Sequence, residues 1–114
     1  MSHFPIIFFQ TNSGKHPAKK FINTLDKREL AKVVNALKAL GKYGNMLGMP
    51  HVRHLIGKLS ELRIRGRQEI LLIFVIIDNQ IVILHGFIKK TNQTPDREID
   101  ISLERFTLTI QRLQ

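Results

Sequence analysis

An α+β domain with an antiparallel sheet is the fold class predicted, on three observations. "LSELRIR" alternates apolar and polar residues, and "ILLIFVII" and "IVILHGFI" follow it as near-continuous apolar runs. Those runs are separated only by short turn-like segments, so the strands are consecutive. Helical spacing of apolar residues is confined to two regions, one before and one after the strands.

His3 to Gln10 is rich in Ile and Phe and predicts a first strand, Phe4 to Gln10 at its core. "TNSGKHP" is a turn, with Gly14 and Pro17 as breakers. Pro17 suits the first position of a short helix, Ala18 to Leu25. Asp26 caps a second, Lys27 to Leu40, in which Leu30, Val33, Val34 and Leu37 form one apolar face. "GKYGNMLGMP", with three glycines and a proline, reads as a loop that continues through His51 and His54.

Leu59 to Arg65 predicts a half-buried strand, with Leu62 and Ile64 on one face and Glu61, Arg63 and Arg65 on the other. Ile70 to Ile77 reads as a central strand covered on both faces, and Asp78-Asn79 as a two-residue hairpin turn. In the return strand, Ile81 to Ile88, counting by twos puts Ile81, Ile83, His85, Phe87 and Lys89 on one face. Thr94-Pro95 opens a last helix, with Asp96 and Glu98 near its positive end. There Ile99, Leu103, Phe106, Ile110 and Leu113 make an apolar stripe, expected to be buried where the helix docks.

With 114 residues the chain is expected to be one domain over positions 1–114. It has no cysteine, no visible signal peptide and no apolar stretch of membrane-spanning length, a pattern that fits a cytoplasmic protein without a membrane partner. The formal charge is +9. Lys15 to Lys42 contributes +6 and His51 to Arg67 +4, whereas Gln68 to Ile88 is −2 and Lys89 to Gln114 +1. A field of that size points to nucleic acid or an acidic protein as partner.

If the Glu61/Arg63/Arg65 face also carries His85 and Lys89, five polar groups converge. One is acidic, three are permanently basic and one titrates near neutrality. That set suits RNA cleavage without a metal. A base takes the proton of a ribose 2′-hydroxyl, which attacks phosphorus; cations stabilise the phosphoryl oxygens; an acid protonates the leaving 5′-oxygen. The candidate catalytic residues are therefore His85, Arg63, Lys89 and Glu61, and the candidate RNA-binding residues Arg65, Arg67, Lys90, Lys58 and Arg53. Against this stand plainer readings: a lone histidine on an apolar strand is most often packed for structure, and strand arginines are often simply solvated. No metal or cofactor is expected. His51 and His54 have no carboxylate cluster beside them, and "SGKHP" is not a phosphate loop.

"GMPHVRHLIGKLSELRIRG" followed by "EILLIFVIIDNQIVILHGFIKKTNQTPDREIDIS" resembles the RelE/HigB superfamily of bacterial toxins, nearest its phage-derived HigB-like branch. The resemblance runs from Gly48 to Ser102, about half the chain, and its most specific part is "HGFIKKTNQTP". It implies a microbial-RNase-type fold, a twisted antiparallel sheet with two N-terminal helices packed on one side and a C-terminal helix. It also implies the toxin of a type II toxin–antitoxin system that cuts messenger RNA on the ribosome. Its cognate antitoxin would be an acidic or DNA-binding small protein. By position, Glu61, Arg63, His85, Lys89 and Lys90 match the motif.

The chain departs from the pattern at the central strand. The family usually carries an arginine where this chain has Leu71 or Leu72. That leaves Arg65 or Arg67 to supply the missing cation, or a weakened enzyme. Two other functions stay open: a ParE-like gyrase inhibitor of the same fold, and an inactive RNA- or antitoxin-binding relic. The long apolar run also implies that the sheet face away from the two helices meets an antitoxin helix or a second copy, as in a homodimer.

Overall fold

A computed structural model describes residues 3–114. In chain order the elements are β1 (Ile6–Phe8), α1 (Pro17–Asn23), α2 (Lys27–Tyr43), a 3₁₀ turn (Gly44–Leu47), β2 (Val52–Ile56), β3 (Leu59–Arg65), β4 (Glu69–Ile77), β5 (Gln80–Lys89) and α3 (Asp96–Leu113). The five strands form one sheet in the order β1-β5-β4-β3-β2. β3, β4 and β5 are consecutive antiparallel strands, as expected, and the β4–β5 hairpin turns at Asp78 and Asn79. Both turn residues have positive φ, 50° and 63°, the backbone of a type I′ turn.

Three features differ from the sequence expectation. β1 runs parallel to β5, so the sheet is mixed and not wholly antiparallel. The chain leaves β1, forms both N-terminal helices and returns before the hairpin, and such a crossover permits parallel pairing. β2 occupies part of the segment expected to be a loop: Val52 pairs with Leu62, and His54, no loop residue, pairs with Ser60. Only Val52 of β2 is buried, which is why its five residues lack an alternating pattern. α2 extends three residues past Leu40 to Tyr43. Its start is the expected one, with the Asp26 carboxylate accepting the Glu29 N–H at 2.8 Å.

α1 and α2 cover one sheet face, where Ala18, Ile22, Val33 and Leu40 pack on Leu62, Ile64, Ile70, Leu72, Phe74, Ile81 and Ile83. α3 covers the other, where Leu103, Phe106 and Leu108 pack on Leu59, Leu71, Ile73, Val75, Val82 and Leu84. The chain thus buries its own second face, and the partner helix or second copy expected there is replaced by α3. The helix docks slightly rotated from the expected stripe. Ser102 is its buried residue, Ile99, Leu103, Phe106 and Ile110 are half-buried, and Leu113 is exposed. Among the described residues no helix is long and apolar enough to cross a membrane.

A β-bulge sets the face of the central histidine. Phe74 pairs with Ile83 and Ile73 pairs with His85, so Leu84 is an extra residue in β5. Ile81 and Ile83 face α1 and α2, as their packing shows. Beyond the bulge the parity is inverted, and His85, Phe87 and Lys89 lie on the α3 face. The five residues counted by twos therefore do not share a face.

Candidate functional site

The bulge that breaks one expectation satisfies another. Glu61 pairs with Ile73, which pairs with His85; Arg63 pairs with Leu71, which pairs with Phe87; Arg65 pairs with Glu69, which pairs with Lys89. These rows all lie on the α3 face. Arg53 extends the first row as the partner of Glu61. Glu61, Arg63, Arg65, His85 and Lys89 therefore do share one face, with Arg53 at its edge.

The groups are not free on that face. Glu61 is 3% exposed, and its Oε2 accepts the Thr94 hydroxyl at 3.0 Å, which ties β3 to the loop before α3. Arg63 Nε lies 2.7 Å from Glu69 Oε1. That carboxylate oxygen has no properly aligned donor, so the pair is a close ionic contact rather than a hydrogen bond.

His85 is the most constrained group. Its Nε2 is 2.8 Å from Glu98 Oε1, and its Nδ1 is 3.1 Å from Arg105 Nη1, which also donates to the Leu84 carbonyl at 2.9 Å. A guanidinium only donates and an ionised carboxylate only accepts. Nδ1 is therefore the acceptor, and Nε2–H donates to Glu98. The ring stacks on Phe87 at 5.5 Å between centroids and is only 12% exposed. The ring is therefore largely withdrawn from solvent. Burial holds its pKa below 6.5; the hydrogen bond to Glu98 pulls the other way, and the charges of Arg105 and Arg97 add to the lowering. The imidazole is neutral at pH 7.

Lys89 is half-buried and Arg65 and Arg53 are exposed along the same face. Lys90 is exposed just past the end of β5. The remaining two candidates sit elsewhere. Lys58 lies in the β2–β3 turn and Arg67 in the β3–β4 turn, at opposite ends of the seven-residue β3, which spans roughly 23 Å. Arg67 lines a cleft with Asp26, Arg28, Glu29 and Lys32, on the α2 side.

Sequence reading missed Glu98 and Arg105 as site residues. Their signal was present: Glu98, Ser102 and Arg105 step by four and three, a polar helical stripe beside the apolar one. His54, considered for metal, has Nε2 donating to the Gly57 carbonyl at 2.8 Å. Among the described residues no group of three His, Cys, Asp or Glu is placed to hold a metal ion.

No curated protein matches the chain. Residues 20–107, well over half of it, match the phage-derived protein Gp49-like family (DUF891). The chain belongs to this phage-derived Gp49-like family, a member of the RelE/HigB-like toxins of toxin–antitoxin systems.

Proposed function

We propose that this toxin is a metal-independent endoribonuclease, acting on ribosome-bound messenger RNA, with His85 as its proton-transfer group. The observation that carries this reading is the line Glu98–His85–Arg105, which fixes the tautomer and sets a cation beside the nitrogen lone pair. A scissile phosphate that takes over the Arg105 guanidinium frees Nδ1. Nδ1 then accepts the 2′-hydroxyl proton as the 2′-oxygen bonds to phosphorus. The P–O5′ bond breaks, and the imidazolium returns that proton to the 5′-oxygen, leaving a 2′,3′-cyclic phosphate and a 5′-hydroxyl. Glu98 keeps hold of Nε2–H throughout and stabilises the imidazolium.

Arg105 supplies from α3 the cation that Leu71 does not supply from the central strand. Arg63 and Lys89 add charge on the same face, and Arg53, Arg65 and Lys90 hold flanking phosphates. Glu61, buried and occupied by Thr94, is better suited to positioning the loop before α3 than to proton transfer. The family implies an antitoxin partner.

The test is cleavage of messenger RNA by purified protein with ribosomes. His85→Ala and Arg105→Ala should each lower the rate by roughly 10²-fold or more, the scale of a lost proton-transfer group or oxyanion partner. Lys90→Ala should mainly weaken RNA binding. Melting temperatures of the same variants separate chemistry from folding. Unchanged cleavage per folded molecule in His85→Ala would overturn the assignment. A buried leucine, Leu71 or Leu72, at the usual arginine position favours a second reading, an inactive RNA- or antitoxin-binding relic, and a wild-type protein that cuts nothing would support it. Loss of gyrase supercoiling without transcript cleavage would instead place the chain with gyrase inhibitors.

A further inference from the structure

β1 is an edge strand, paired on one side only. The Pro5 carbonyl accepts from Ile81 N–H at 2.8 Å, and Phe9 N–H donates to the Ile83 carbonyl at 2.9 Å. Peptide groups alternate in direction along a strand, so those of Ile6 and Phe8 point away from β5, along the open edge. An edge of this kind is a template for another strand.

An apolar groove flanks each face of that edge. On the α2 side, Phe4, Ile6, Phe8, Val34 and Leu37 line one of about 510 Å³. On the α3 side, Ile7, Phe8, Ile77, Val82 and Leu113 line one of about 310 Å³. Val34 is 40% exposed, Ile7 43% and Leu113 59%, so three large apolar side chains in these grooves face solvent. An added strand, whose side chains alternate between faces, would fill both grooves at once. The rim of the first groove is cationic: Lys38 and Lys42 border it, and α1 and α2 lie in the most basic part of the chain, whereas the second groove carries one charge of each sign, Arg112 and Asp78.

We infer that the β1 edge is a docking site for an extended segment of a partner protein, apolar in alternation and flanked by acidic residues, which adds a sixth strand beside β1. Main-chain hydrogen bonds would supply affinity and the two grooves specificity. A second copy of this chain fits less well. A two-fold pairing of β1 edges would set Lys38 and Lys42 against their own counterparts, on molecules already at +9. The edge lies at the far side of the sheet from β2 and β3, so such a partner would bind without covering Arg53, Glu61 or Arg63. The inference does not depend on the chain cutting RNA.

The experiment uses the full chain and a synthetic peptide with an alternating valine/threonine core flanked by glutamates. A peptide with the same core and lysine flanks is the control. Calorimetry should show saturable binding of the acidic peptide alone, weakening as salt rises. Hydrogen exchange should show the Ile6 and Phe8 amides becoming protected. The double variant Val34→Glu/Lys38→Glu changes two exposed residues and should keep the wild-type melting temperature. It should lower the affinity about tenfold, the scale of two exposed charge contacts. Equal binding of the two peptides, no saturable binding, or protection centred on α3 or β2 would overturn the proposal. So would Ile6 and Phe8 amides already protected in a concentration-dependent dimer.

Discussion

His85 Nε2 lies 2.8 Å from Glu98 Oε1, a contact that joins the last strand of the sheet to the first turn of the C-terminal helix. Together with the Arg105 contact it leaves neither ring nitrogen for solvent. The docking of α3 is therefore linked to the protonation of one buried ring.

That linkage has a definite sign. The folded-state pKa of His85 lies below 6.5, with burial as the main cause. Below about pH 6.5 the unfolded chain takes up a proton that the folded chain resists. The contribution of His85 is thus fully present above pH 6.5 and is lost as pH falls from there toward the depressed folded value. Thermal unfolding followed from about pH 8 to pH 5 should fall more steeply for wild type than for His85→Gln, which cannot titrate. Parallel curves would show that His85 carries no such linkage.

Gly86 sits where the motif has no room for a side chain. A Cβ there would lie 2.7 Å from Phe21 Cδ2 and 2.8 Å from Leu72 Cδ2, between α1 and β4. Gly86→Ala should destabilise the fold by about 1–3 kcal/mol, the usual cost of overpacking, as α1 shifts outward. Urea unfolding measures it. Because α1 lies on the face opposite His85, cleavage per folded molecule should hold. A variant as stable as wild type would mean that the Phe21 ring moves aside freely.

Much of this was legible in the sequence, and what was not has physical reasons. β3, β4, β5 and their turn declare themselves because burial forces a period of two or a solid apolar run, and Asp78-Asn79 tolerates the required positive φ. β2 does not, since among its residues only Val52 is buried. The convergence of Glu61, Arg63 and His85 was readable as a possibility from strand parity. The bulge at Leu84 that makes it true was not, because one extra residue leaves no mark in "IVILHGF". Glu98 and Arg105 were overlooked for a related reason. The apolar stripe of α3 looked like the docking face, but satisfying His85 and the Leu84 carbonyl rotates the helix toward its polar residues.

Leu71 offers the sharpest test of how this chain differs from the family pattern. Of Leu71 and Leu72, the two positions where the resemblance expects a strand arginine, it is the one that pairs with Arg63 and Phe87 on the α3 face, where the proposed cleavage site lies. Yet it is 0% exposed and packed in the cluster that includes Phe9, Ile73 and Leu84 beneath α3. The carboxylates near it are already engaged, Glu69 with Arg63 and Glu98 with His85. An arginine at this position in the present packing would be a buried charge without a partner. Leu71→Arg should therefore cost about 3–5 kcal/mol, the scale of an uncompensated buried ion, and should not raise cleavage. Chemical denaturation and ribosome-dependent cleavage on the same variant decide the matter. If Leu71→Arg stays near wild-type stability and cuts faster, then α3 yields to admit the guanidinium, and Arg105 is not the cation that replaces it.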